Sequence, residues 1–299
     1  MDKYTTWDDV PEHLMTRKKL NESGLRLARG QKPVAKKTGG YGPYKLYDSR
    51  EAVAKTEPSE AQKASIEKAR KQAALNSRCA KCGEYFEYLD HSRISIEDAG
   101  NGAYICFMCA DKAAASAWAR RFLGTVGAVI LDTETTGLGE EAQICEIAII
   151  DNTGHTLINT LVKPRCAIPE EVTALHGIAD SDVEDAPRWD ELDDWIFDVL
   201  AQAPAVAIYN AEYDLRLISQ SRVAAGLPPM LWGWDSDRPL PERTKALLKK
   251  ATCAMQMYAQ WYGEWSGYHK SYRWQRLEGG HRALGDCLAT LERIKEMAC

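Results

Sequence analysis

At 299 residues the chain is long enough for two domains and a sizeable core. Hydrophobic residues make up 45% and charged residues 27%, a globular composition, and no apolar run reaches bilayer-spanning length, which excludes a helical membrane protein. The net charge of −5 hides a split: residues 1–75 hold 16 Lys+Arg against 10 Asp+Glu, while residues 126–299 hold 16 against 27.

The first nine residues lack the apolar core of a secretory leader, and the cysteine usage described below agrees with a cytoplasmic location. Residues 1–58 read as an irregular basic arm. Arg17, Lys18, Lys19, Arg26, Arg29, Lys32, Lys36 and Lys37 lie close together with Glu22 opposing them, and Tyr41 and Tyr44 follow. Lysine, arginine and aromatic side chains side by side suit a nucleic-acid backbone with base stacking; a solvated tail is the plain alternative. A helix is expected after Pro58, with Ser59 as N-cap and Gln62 completing a capping box. It runs through Leu75, rich in Ala, Lys and Glu and poor in large apolar residues, which makes it a spacer or a partner-docking helix.

Residues 76–121 carry Cys79-Ala-Lys-Cys82 and Cys106-Phe-Met-Cys109. β-prone stretches at 85–89 and 103–107, with a Gly-Asn-Gly turn at 100–102, give two hairpin-like knuckles. Four thiolates brought together in this way satisfy tetrahedral Zn²⁺ and fold a module too small for its own core. The reading is therefore a zinc-ribbon-like module with Cys79, Cys82, Cys106 and Cys109 on structural zinc, the alternatives being a redox dithiol pair or an iron–sulfur site. The helix-like run Cys109–Arg121 leads into the acidic part.

From residue 126 the pattern is α/β. Strands are expected at Val126–Asp132, at Ile144–Asp151 and, after an Asp-Asn-Thr-Gly turn, at His155–Val162. Helices are expected around Pro169–Leu175 and Trp189–Leu200. Ala205–Tyr209 reads as a buried strand, followed by helices at about Ala211–Ala225 and Ala283–Met297. Residues 226–242 form a long connection rich in Pro and Trp, and residues 261–274 interleave aromatics with Lys270 and Arg273. This second stretch either packs over the sheet, the favoured reading, or stacks bases.

Asp132 and Glu134 stand two apart on a strand that ends in a glycine turn, so they point to one face. Buried carboxylates are costly unless they bind cations, and hard divalent ions prefer oxygen ligands. Asp214 follows the strand Ala205–Tyr209 near a helix start, the end of an α/β strand where ligands bind. His281 and Asp286 bracket the start of the last helix; five apart, they converge only if His281 sits in the preceding loop. Individually, each acid also reads as a helix cap or turn residue. His176 reads as structural, and Cys145, Cys166, Cys253, Cys287 and Cys299 have no mutual spacing.

Taken in order, Asp132-x-Glu134, the segment Asn210–Asp214, and His281-x-Ala-x-x-Asp286 resemble the three motifs of the DEDDh 3′–5′ exonucleases, the family of the proofreading subunit of bacterial replicative polymerase and of RNase T. Thr173-Ala-Leu-His-Gly-Ile178 is similar to that family's turn after the third strand. The resemblance covers about residues 126–299. It implies a ribonuclease-H-like mixed sheet flanked by helices, preceded by the zinc-ribbon-like module and the basic arm. It also implies two Mg²⁺ or Mn²⁺ ions on Asp132, Glu134, Asp214 and Asp286, with Asp132 bridging and His281 as the general base. Thr135, Gly137, Leu138 and Asn210 would then touch substrate, with Gly137 and Leu138 as the turn and apolar wedge at the terminal nucleotide.

The expected activity is hydrolysis of a nucleic acid from its 3′ end to nucleoside 5′-monophosphates, with DNA and single-stranded ends favoured. An RNA-specific 3′ exonuclease, and a non-catalytic zinc-dependent protein that binds nucleic acid or a partner, stand as alternatives. The expected partners are a nucleic acid with a 3′ end and, through the arm or the zinc module, a protein; no membrane is expected.

Overall fold

The computed structural model describes residues 1–39, 42–76, 78–84, 94–95, 104–230 and 240–299. Tyr41, the expected strand at 85–89, the turn at 100–102 and residues 231–239 of the Pro/Trp-rich connection lie outside the described residues. The chain divides into two compact units, Met1–Leu75 and Asn76–Cys299.

Residues 1–58 are not the irregular segment their composition implies. They hold β1 (Asp2–Tyr4), β2 (Leu14–Met15), α1 (Arg17–Glu22), β3 (Leu25–Arg26), β4 (Ala35–Lys37), β5 (Tyr44–Asp48) and β6 (Val53–Ala54). Four strands form a sheet in the order β1-β4-β5-β2, and β3 pairs with β6. Leu14, Ala35 and Leu46 form a small core with Tyr4 and Val10 against it. Thr16 caps α1, its hydroxyl accepting the Lys19 N–H at 3.2 Å. These strands are two to five residues long, so no alternation long enough to read marks them. Beyond them, α2 (Glu60–Asn76) starts in the expected capping box. Gln62 Oε1 accepts the Ser59 N–H at 2.9 Å, and Ser59 Oγ accepts the Gln62 N–H at 3.3 Å. Its described side chains are exposed, as its composition requires of a helix with no apolar stripe.

In the second unit β7 (Ile94–Ser95) pairs antiparallel with β8 (Tyr104–Ile105), and α3 (Phe107–Gly124) follows. The main sheet contains β9 (Val129–Thr135), β10 (Ile144–Asp151) and β11 (Thr156–Leu161) as an antiparallel meander. Next come α4 (Glu170–His176), α5 (Trp189–Gln202), β12 (Val206–Ile208), α6 (Ala211–Ala224), α7 (Glu242–Lys250), β13 (Ala251–Cys253) and α8 (Ala254–Tyr262). A hairpin of β14 (Trp265–Ser266) and β15 (Ser271–Tyr272) precedes α9 (Ala283–Ala298). The sheet order is β11-β10-β9-β12-β13, with β12 parallel to both β9 and β13. This is the ribonuclease-H-like mixed sheet, flanked by helices on both faces.

Period-two alternation on β9 and β10 divides the core in two. Val129 and Leu131 pack toward α5 and α6 with Ile196, Phe197 and Ile218. Ile130, Ala148 and Ile150 pack toward α3 and α9 with Phe122, Cys287, Leu291 and Ile294. The first strand starts three residues later than expected and runs on to Thr135, because Gly127, with φ +79°, turns the chain just before it. A buried ion pair between Arg222 and Asp193, helped by the Trp189 indole N–H to Asp193 at 2.9 Å, ties α6 to α5. Among the described residues no helix is long and apolar enough to cross a membrane.

Candidate active site

Asp132 and Glu134 sit beyond Ile130 on the β9 face that α9 covers, each only 9% exposed. The first turn of α9 brings Asp286 to them. Ligand oxygens of Asp132, Glu134 and Asp286 all lie within 4.8 Å of one another. Asp214 comes from the opposite side, in the first turn of α6, directly after β12. Its carboxylate accepts the Thr133 hydroxyl at 2.7 Å and stands outside that closest trio, yet lines the same cleft. The cleft, of about 780 Å³, is also lined by Asn210, Tyr213, Leu175 and His281.

The approach to α9 is unusual backbone. Gly279 and Gly280 precede His281, which takes the left-handed φ of +55°, rare for a residue with a Cβ. A Cβ on Gly279 would lie 1.9 Å from Asp286 Oδ1, so only glycine lets the loop close on the carboxylate. Gly285 is equally confined, its missing Cβ falling 2.5 Å from Gly279 O. His281 is exposed at the cleft, in the loop, while Asp286 is anchored by its N–H to Arg282 O at 2.9 Å.

Concentrated negative charge dominates the electrostatics. Burial, then Asp214, Asp286 and Glu134, push the Asp132 carboxyl well above its usual range. Burial and the neighbouring acids Asp286, Glu146 and Asp214 push Glu134 up to about 8. Burial raises Asp214 to about 7 against the opposing Thr133 hydrogen bond, and burial raises Asp286. Such a cluster needs cations to ionise fully. Asp286 Oδ1 is buried with no hydrogen-bond partner among the described residues, an acceptor that a cation would satisfy. The all-oxygen donor set fits Mg²⁺ or Mn²⁺, and it would be held by Asp132, Glu134 and Asp286, with Asp214 adjacent.

Cys79, Cys82, Cys106 and Cys109 also converge, their sulfurs within 4.8 Å of one another. Backbone N–H groups of Lys81, Cys82 and Cys106 point at Cys79 Sγ at 3.3–3.5 Å, and the Cys109 N–H points at Cys106 Sγ at 3.4 Å. Gly83, with φ +78°, closes the first knuckle by donating to Cys79 O. Burial raises the Cys79 thiol, but the donors from Cys106, Cys82 and Lys81 outweigh it and bring it to about 6, so it is ready as a thiolate. Four sulfurs in this arrangement fit Zn²⁺. Phe107, between two of the cysteines, packs edge-on against Trp265 at 4.9 Å, and the Tyr272 hydroxyl donates to Asp111 at 2.8 Å. The cysteine cluster is thereby fastened to the hairpin β14–β15. In residues 261–274 Trp265 also meets Tyr272 at 5.1 Å, while Tyr262, Tyr268 and Trp274 are largely exposed.

The residues expected at substrate gather at the glycine turn after β9. The Thr135 and Tyr213 hydroxyls lie 2.6 Å apart, and both reach Gly137 O, at 3.0 and 2.9 Å. Arg216 donates to Leu138 O and Gly139 O. This holds the Leu138 side chain out in solvent at 81% exposure. Asn210 lines the cleft at the start of α6. His176 is buried, its Nδ1 accepting the Ile178 N–H at 3.0 Å and its Nε2 facing Thr135 O at 3.2 Å, which is a structural arrangement.

Sequence reasoning missed Glu146, Arg282 and Tyr213. Glu146 pairs directly across from Glu134, is 3% exposed, and accepts from the Arg282 guanidinium and the Ala283 N–H. An acid inside the apolar run Ile144–Ile150 was the available signal.

Residues 129–293 match the family model of RNase T exonucleases. Over 182 residues the chain is 40% identical to the uncharacterized exonuclease CP81 of Escherichia phage 186, which covers 57% of this chain and 87% of that relative. Over 97 residues it is 32% identical to the DNA polymerase III subunit epsilon of Escherichia coli, 29% of this chain and 40% of that one. Exonuclease X in complex with 5′ overhanging duplex DNA matches with TM-score 0.37 and 24% identity, over 57% of this chain and 90% of that one. With the family model spanning more than half the chain and the ordered acids in one cleft, the protein belongs to the RNase T exonuclease family.

Proposed function

We propose that the chain is a 3′–5′ exonuclease that removes nucleoside 5′-monophosphates from DNA, single-stranded ends preferred. The observation that carries this is the trio Asp132, Glu134 and Asp286, with oxygens within 4.8 Å of one another, beside His281 in one open cleft. Two divalent ions, when bound, would polarise the scissile phosphate and stabilise both the attacking and the leaving oxygen. Asp132, Glu134, Asp214 and Asp286 hold these ions. His281, free in the loop, accepts the proton of the attacking water. The turn of Thr135, Gly137 and Leu138, braced by Tyr213, seats the terminal nucleotide, with Leu138 as an apolar wedge and Asn210 beside the backbone. The 3′ polarity rests on the resemblance to the DEDDh exonucleases, by which Glu134 serves one metal and the 3′ end of the substrate. The DNA preference is drawn from the polymerase subunit among the relatives.

The chain has three functional parts in this reading: 1–75 as basic module and spacer helix, 76–121 as the zinc-ribbon-like module, and 126–299 as the exonuclease domain. Structural Zn²⁺ on the four cysteines supports the hairpin through Phe107 and Asp111. Thiols gathered for metal suit the reducing cytoplasm. The test is digestion of 5′-labelled single-stranded DNA and RNA of one sequence: the reading predicts 3′ shortening of DNA faster than of RNA. RNA-only cleavage would replace the substrate, and no cleavage by metal-loaded protein would leave a binding protein.

A further inference from the structure

The first unit carries a feature that the exonuclease fold does not use. In its sheet Lys3 of β1 pairs with Lys36 of β4, and Lys36 pairs with Lys45 of β5. Directly paired strand residues share a face. The three lysines therefore form one row across three neighbouring strands, spanning roughly 10 Å at ~4.8 Å per strand. Like charges placed directly opposite one another weaken a sheet. Five other lysines of this unit have partners: Lys18 with Glu22, Lys63 with Glu60, Lys71 with Glu67, Lys37 over the Trp7 ring and Lys55 on Asn21 O. Among the described residues Lys3, Lys36 and Lys45 make no ion pair.

Alternation makes the row still more one-sided. The strand positions sharing its face in β2 and β5 are Met15 and Tyr47, themselves paired, so no acid enters this face from the strands. Asp2 and Asp48 occupy the alternate positions, and Asp48 is already held by Arg50. Lys3 and Lys45 are exposed and Lys36 is half-buried, with its apolar stem against the sheet. Met1–Leu75 carries an excess of six positive charges, whereas the active-site unit is acidic.

We propose that the Lys3–Lys36–Lys45 row is a binding site for the phosphate backbone of a nucleic-acid strand, separate from the catalytic cleft. A flexible polyanion neutralises all three ammonium groups at once, relieving their mutual repulsion and releasing condensed counterions. Tyr47, two residues along β5 on the same face, offers an aromatic edge to a neighbouring base. Lysines without a planar bidentate fork read charge and not sequence, so the site is sequence-independent. Its role is to keep a strand near an acidic domain that would otherwise repel it.

The experiment uses the full chain carrying Asp132→Ala, so that turnover plays no part and the outcome does not depend on the exonuclease reading. Binding of a 5′-fluorescein dT30 oligonucleotide is followed by anisotropy across a salt series without added divalent ions. K3A/K36A/K45A is compared with K18A/K63A/K71A, which removes the same charge from lysines that already have partners. The proposal expects the row variant to bind at least tenfold more weakly and to lose about 2 from the salt slope, at about 0.7 per phosphate contact on a single strand. The control keeps both affinity and slope, and thermal melts show both variants folded. Equal losses in the two variants, or an unchanged slope in the row variant, overturn it. So does a row variant that loses binding only to anionic phosphatidylglycerol vesicles, which would make the partner a lipid surface.

Discussion

The Glu146 carboxylate and the Arg282 guanidinium meet across the gap between β10 and the start of α9, with Arg282 Nε 3.0 and 3.2 Å from the two oxygens. Glu146 also accepts the Ala283 N–H at 2.9 Å. One buried acid therefore fixes the Arg282 side chain and the peptide unit that follows it, just after the left-handed His281. The pair clamps the loop that presents His281 and the helix that presents Asp286. Glu146→Gln, which keeps the shape and loses the charge, should lower kcat by at least tenfold. A displacement of about 1 Å at a catalytic group is sufficient for ~100-fold. The Mg²⁺ concentration for half-maximal rate should move much less, because Asp132 and Glu134 stay on β9. Arg282→Ala should cost about 1–3 kcal/mol in denaturant melts, since Glu146 keeps only one donor and the half-exposed guanidinium is partly screened. Lys at 282 should rescue poorly, lacking the fork. Unchanged kcat in Glu146→Gln would remove the clamp from the mechanism.

Crowded acids make metal-free stability depend on pH. Glu134 is raised to about 8 and Asp214 to about 7, with burial the main cause. Both carboxyls then bind protons more tightly folded than unfolded. Their contribution is complete below the unfolded values and is lost as pH rises through the folded ones. Metal-free protein should therefore melt at progressively lower temperature between about pH 4.5 and pH 8. Saturating Mg²⁺ should flatten that decline, so the metal-induced rise in Tm grows with pH. A rise of equal size at pH 5.5 and pH 8 would contradict this.

Gly279 tests the closeness of the loop to Asp286. A methyl group there meets Asp286 Oδ1 at 1.9 Å and its Cα at 2.7 Å, and the second contact is backbone-bound and cannot swing away. Gly279→Ala should push α9 off the cleft and reduce activity at least 100-fold, the scale of a ~1 Å misplacement. Gly226→Ala, at a positive φ of +84° but with no atom within 4 Å of the added Cβ, should cost about 1 kcal/mol of stability and leave kcat intact. Equal activity loss in the two variants would contradict the close approach.

The elements that sequence made legible are those with a long, consistent pattern. Ile144–Asp151 is a run of eight strand residues, seven of them buried, and its bounds agree with the pattern at both ends. Ser59 and Gln62 mark the start of α2 because a capping box is local chemistry. β13, α7 and α8 were not legible: Thr252 and its neighbours make a three-residue strand whose only support is parallel pairing with β12, a non-local contact. The five ordered motif residues were visible because their types are chemically demanding. Arg282 was not, being an ordinary charge until the fold brings it to Glu146 over 136 residues, and Glu146 showed only as an acid inside an apolar run, with nothing local to name its partner.

The cysteine module should bind one Zn²⁺ per chain. Cys79→Ser or Cys106→Ser should abolish that stoichiometry in elemental analysis, and zinc removal should lower the melting temperature of the second unit, since Phe107 and Asp111 then lose their fixed hold on Trp265 and Tyr272. Protein with full zinc content after either substitution would remove the cysteines as ligands.

Asp132 and its neighbouring acids are proposed to hydrolyse nucleic acid from the 3′ end. The direct measurement is a matched digestion of 5′-labelled single-stranded DNA and RNA with Mg²⁺ or Mn²⁺, beside Asp132→Ala. The account predicts a ladder that shortens from the 3′ end, fastest on DNA, and is absent with Asp132→Ala. No shortening by folded, metal-loaded protein, or an equal ladder from Asp132→Ala, would contradict it.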